Sequence, residues 1–146
     1  MRPPRAPSRI PRPPTGAELS RTGAALRRIR TSRVDLDWVQ GPGPTDIWIW
    51  QGAGGDHVEM SFFGRCVLHR SAGLSTGLLR EGGGTPYAED AGLIELENEL
   101  SRATLAAALG ILLAAPAEVA SPPIVRLIAA LRAALEAGRG PEEPNI

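Results

Sequence analysis

The sequence predicts an α+β domain, a four- to five-stranded antiparallel β-meander followed by a C-terminal α-helical hairpin. Three observations carry that prediction. From Val34 to Glu81, apolar and polar residues alternate in short runs separated by Gly-, Pro- and Ser-containing breaks, the pattern of half-buried strands. After Gly82-Gly-Gly-Thr-Pro-Tyr87 the apolar period changes from two to 3.6. The breaks between the strand-like runs are also short enough to join antiparallel neighbours, and too short for crossover connections.

Residues 1–33 read as a disordered Arg/Pro-rich basic arm. MRPPRAPSRIPRPP offers one Ile among prolines and arginines and cannot pack a core. Thr15 and Glu18 have capping-box spacing, and Leu19, Leu26 and Ile29 lie near one stripe, so residues 16–30 are expected to form a short basic helix weakened by Gly23. Val34, Leu36 and Trp38 alternate with Asp35 and Asp37 in a first strand, which Gly41-Pro-Gly-Pro44 ends.

Asp46 to Glu81 is the stretch on which the rest of the chain is built. Ile47 and Ile49 point to one side of a strand, Trp48 and Trp50 to the other. Both faces are apolar, so the strand is central or its Trp side meets something other than water. His57 to Phe63 alternates again, with Val58, Met60 and Phe62 opposite His57, Glu59, Ser61 and Phe63. Gly64 marks a bulge or sharp bend before Arg65–Arg70, Ser71-Ala-Gly73 turns the chain, and Leu74–Glu81 is the last strand.

The single domain is expected to span residues 34–137, with helices at about 90–115 and 122–137 and a polar tail at 138–146. Asp90 is the expected cap of the first helix, Glu95, Glu97 and Glu99 its acidic early turns, and Pro116 its end. Ser121-Pro-Pro123 sets an N-cap and a proline at the first helical position, and Ile124, Leu127, Ile128, Leu131 and Leu135 follow as one stripe. At roughly 1.5–3 kcal/mol per large aliphatic side chain buried, these helices must dock on the sheet or on another copy.

Composition excludes several chemistries. All 16 basic side chains are arginine, so a P-loop lysine, a Schiff base and a Ser–Lys dyad are ruled out. One cysteine, Cys66, rules out an intramolecular disulfide and a multi-cysteine metal site. The longest apolar run, Ala103 to Ala117, contains Pro116 and falls short of the roughly 20 residues of a membrane span. A cytoplasmic location without membrane association is expected. The zero net charge hides an asymmetry: residues 1–33 carry nine Arg against Glu18, and the remainder is acidic.

Cys66 and His69, three apart in a strand, face opposite ways, so neither a chelate with His57 nor a Cys–His nucleophilic pair is expected. Cys66 reads as a small buried apolar group. Asp35 with Asp37, and the glutamates after Asp90, are ordinary solvated acids, and the Gly52–Gly55 and Gly82–Gly84 clusters lack a phosphate-binding register. The expected function is therefore a non-catalytic protein-interaction or adaptor module, self-association included, without cofactor or metal. It would recognise protein through Trp48, Trp50 and Phe63, a sheet edge or the helix pair. The alternative is a nucleic-acid or anionic-surface binder acting through Arg27, Arg28, Arg30 and Arg33.

Overall fold

The computed structural model describes residues 12–52, 55–80 and 94–137. Seven strands form one antiparallel sheet in which each pairs only with its neighbours in sequence. They are β1 (Arg27–Ile29), β2 (Leu36–Gln40), β3 (Asp46–Gly52), β4 (Gly55–Phe62), β5 (Arg65–Arg70), β6 (Gly73–Leu79) and β7 (Ile94–Leu96). The helices are α1 (Gly16–Ala24), α2 (Arg102–Leu113) and α3 (Pro122–Ala137), with a 3-10 turn at Ala117–Val119 between the last two. The class is α+β with an antiparallel meander, and the sheet is larger than the four or five strands expected.

The additional strands are the two edges. The helix expected over residues 16–30 stops at Ala24, and Arg27–Ile29 instead pairs with β2, Arg28 opposite Val39. Nothing in Arg-Arg-Ile-Arg alternates; pairing alone orders it. At the other edge, where a helix was expected from Asp90, Ile94–Leu96 pairs with Gly77–Leu79. Asp90 itself lies outside the described residues. Ile94-Glu95-Leu96-Glu97 alternates with period two, and that signal wins locally over the longer leucine stripe. Glu95, Glu97 and Glu99 are consequently not on a helix; α2 begins at Arg102, where the Ser101 hydroxyl accepts from the Thr104 amide at 3.2 Å.

The turns explain the register. Phe62 pairs with Arg65, so Phe63 and Gly64 alone make the β4–β5 turn, both at positive φ, 48° and 76°. Two consecutive residues at positive φ give the hairpin geometry that matches strand twist. Gly64 is thus part of a tight turn and not a bulge, and Phe63 leaves the strand alternation.

The three helices cover one face of the sheet. Val39, Ile47, Ile49, Val58, Met60, Phe62 and Val67 form one cluster with Leu105, Ile111, Leu112, Ile124, Leu127 and Leu131. Polar contacts pin the layers: Arg65, buried, donates to the Thr104 hydroxyl at 3.1 Å, and Arg126 of α3 pairs with Asp56 of β4. Arg102, at the start of α2, donates to the Leu135 carbonyl near the end of α3, so these helices run in opposite senses. They do not form a free-standing hairpin, because α1 joins the same layer. A Cβ on Gly23 would sit 2.1 Å from the Ile111 carbonyl oxygen, so this glycine lets α1 and α2 approach closely. The Thr15 hydroxyl accepts from the Glu18 amide at 3.1 Å and the Glu18 carboxylate from the Thr15 amide at 2.8 Å, the expected capping box. No helix among the described residues is long and apolar enough to cross a membrane.

Candidate binding face

Strand pairing turns the other side of the sheet into three cross-strand rows, because residues directly opposite in a ladder share a face. One row reads Leu36, Trp50, His57, and Arg70 continues it through its hydrogen bond to His57. The next reads Trp38, Trp48, Glu59, Leu68, Ser75. The third reads Gln40, Asp46, Ser61, Cys66, Gly77, Leu96. All three tryptophans of the chain lie here, on the side away from the helices. Cys66, Leu68 and Ile94, with Leu79 against them, form a smaller apolar cluster of strand residues only.

Trp38 and Trp48 stack, centroids 4.8 Å apart and planes at 16°. The Trp38 indole N–H donates to Asp46 Oδ1 at 2.9 Å, which fixes the ring against its strand. Partial burial pushes the Asp46 carboxyl upward from its ordinary value, and the Trp38 bond opposes that shift. Trp50 stacks on His57 at 4.8 Å, and Arg70 Nε of β5 donates to His57 Nε2 at 3.3 Å. Glu59 is 2% exposed between Trp48 and Leu68, a carboxylate set deep in an aromatic and aliphatic row.

The residues expected to bind protein are not all brought together. Trp50 is half-buried at the rim of the face. Trp48 is 7% exposed and acts as the base on which Trp38 rests. Phe63 packs against the cluster on the helix side, because its positive φ in the turn takes it off the strand. Trp38, His57, Asp46 and Arg70 were missed as members of this face. Trp38 becomes a neighbour of Trp48 only through the β2–β3 register, and the His57–Arg70 contact only through β4–β5.

The arginines of the alternative reading surround the β1–β2 connection. Arg28, Arg30 and Arg33, with Thr31, Ser32, Val34 and Asp37, line an open cavity of about 520 Å³, and Arg27 lies on β1 outside it. Two of these charges are met locally: Arg28 pairs with Asp37 at 3.6 Å, and Arg33 with Asp35 at 2.8 Å. The Arg33 guanidinium holds the Asp35 carboxyl below its usual range.

Cys66 and His69 face opposite ways from β5, as their three-residue spacing predicts. Cys66 is on the tryptophan face and His69, paired with Val58, on the helix face. Burial, with Glu59 and Glu97 nearby, pushes the Cys66 thiol up to about 12. Burial also lowers the His69 imidazole from its ordinary value. Among the described residues no three His, Cys, Asp or Glu side chains gather as a metal site. The chain matches no family model, no curated protein and no solved structure.

Proposed function

We propose that this chain is a non-catalytic protein-binding module that takes its partner on the tryptophan-bearing face of the sheet. The observation that carries the reading is the placement of Trp38, Trp50 and the exposed Arg70 on one face while α1, α2 and α3 pack on the other. Aromatic rings and arginine are the side chains that dominate interface energy when a partner desolvates them. Trp48 and Asp46 hold Trp38 in place, and His57 does the same for Trp50, so the contact groups lose little rotamer freedom on binding. A thiol held near 12 is a poor nucleophile at neutral pH, which argues against covalent chemistry by Cys66.

Affinity capture from the native cell with full-length bait tests this. Trp50→Ala is expected to lose the partners that the parent chain retains, while remaining folded. Retention of every partner by a folded Trp50→Ala and by a folded Arg70→Glu would refute it.

The open cavity among Arg28, Arg30 and Arg33 supports a second reading, binding of nucleic acid or another polyanion. The Asp35 and Asp37 ion pairs reduce the charge available there, which ranks it second. Binding of an oligonucleotide that weakens steeply with salt and vanishes in an Arg28, Arg30, Arg33 triple-Ala variant would favour it over the first.

A further inference from the structure

The outer surface of the helical layer carries a groove of about 460 Å³ between α2 and α3, lined by Arg102, Ala106 and Leu109 on one side and Arg132, Leu135 and Glu136 on the other. Leu113, 54% exposed, extends the apolar stripe of Ala106 and Leu109 by one turn. Arg102 is occupied by the Leu135 carbonyl at 2.8 Å. Arg132 and Glu136 are different. They stand one turn apart on α3, both exposed, and among the described residues neither has an ion-pair or hydrogen-bond partner. The order, arginine before glutamate, is the less favourable one for an intrahelical pair. Two opposite charges therefore leave the same groove about 6 Å apart along the helix axis, without a partner among the described residues.

We propose that this groove is the contact of a symmetric homodimer in which the two α3 helices cross a two-fold axis in opposite directions. A two-fold contact needs a patch complementary to itself. One basic and one acidic group a turn apart meet that need, because the axis sets Arg132 against Glu136 of the second copy at two equivalent places. Exposed Ala129 and Ala133 beside them let the helices approach, and Leu109, Leu113 and Leu135 supply apolar area. A patch of one sign would repel its own copy.

The test is the mass of the full chain by sedimentation over a micromolar to millimolar series, for the parent, Arg132→Glu and Glu136→Arg. The parent is expected to dimerise. Each variant, with two attractive pairs made repulsive, is expected to dissociate at about tenfold higher concentration or more. An equimolar mixture of the two variants restores both pairs and is expected to dimerise as the parent does. A parent that stays monomeric overturns the proposal, as do variants that dimerise unchanged or a mixture that remains as weak as its components. Both positions are exposed, and circular dichroism of each variant confirms that its fold is kept.

Discussion

Trp48 and Trp50 are two residues apart on one strand face, yet their truncations are expected to act differently. Trp48 is 7% exposed and stacked on Trp38 at 4.8 Å. Cutting it to alanine removes a buried indole, about 3–5 kcal/mol for such a change, and also a stacked pair worth about 0.5–1.5 kcal/mol. Taken together the loss is roughly 4–6 kcal/mol, comparable with the whole stability of many domains of this size. With a urea slope of about 1.5 kcal/mol per molar, the unfolding midpoint should fall by about 3 M, or the chain should not fold. Trp50 is half-buried at the rim, so the same truncation should cost about 2 kcal/mol and move the midpoint by about 1 M. The assay is urea unfolding followed by circular dichroism, with capture of partners measured on the folded variant. Equal, large losses of stability for both would show that Trp50 is core, and the binding face would lose its principal contact. Equal, small losses would show that Trp48 is not the base of the face.

Other consequences can be checked with single variants. Gly23→Ala should destabilise by about 1–3 kcal/mol in the same urea assay, since its Cβ would meet the Ile111 carbonyl at 2.1 Å and Ala114 at 2.7 Å; an unchanged midpoint would mean that α1 is not held against α2. Cys66, at 0% exposure and pushed to about 12, should resist maleimide labelling at pH 8 until the protein is unfolded, and rapid labelling of the folded chain would contradict the burial. Thr15→Ala should cost about 1 kcal/mol by removing the α1 cap. The carboxyl of Glu18, held at about 2 by its bonds to Arg12 and Thr15, is lowered on folding, so its contribution is present above its ordinary value of 4.5 and is lost as pH falls from there towards 2. Glu18→Gln should flatten that part of the stability–pH curve, and an unaltered curve would assign the acid sensitivity elsewhere.

Local patterns made the central strands, the α1 cap and α3 legible. Ile47 and Ile49 against Trp48 and Trp50, the Thr15–Glu18 spacing and the Ser121-Pro-Pro123 helix start each express themselves within a few residues. The edges were not legible in the same way. Arg27–Ile29 has no alternation of its own and becomes a strand because Val39 and its neighbours offer an unpaired edge. At Ile94–Leu96 a period-two signal and a leucine stripe overlap, and pairing with Gly77 decides between them. A Cβ at Gly77 would lie 2.7 Å from the Glu95 carbonyl oxygen, so the close approach of β7 depends on a glycine far away in sequence. The proposed binding face was half legible: the tryptophan side of β3 could be read from alternation, but the Trp38–Trp48 stack and the His57–Arg70 bond exist only through inter-strand register.

The architecture discriminates among the surfaces through which such a module could act. A sheet edge recruits an added strand when it is long and free, and here each edge strand is three residues, one of them carrying Arg27 and Arg28. Neither edge offers the ladder that strand addition needs. The helix-covered face of the sheet is spent on the core. Among the described residues, the tryptophan face and the outer groove of α2 and α3 remain as candidate protein-binding surfaces, and these lie on opposite sides of the sheet. A dimer formed through the groove would therefore leave Trp38, Trp50 and Arg70 of both copies outside the contact, giving one assembly two of the proposed binding sites. Two linked faces raise the avidity for a partner that is itself repeated or dimeric, without any new contact. If both proposals hold, Arg132→Glu should reduce capture of a multivalent partner while leaving the affinity of a monovalent one unchanged, whereas Trp50→Ala should reduce both. Loss of monovalent affinity in Arg132→Glu would instead place part of the partner contact on the helices.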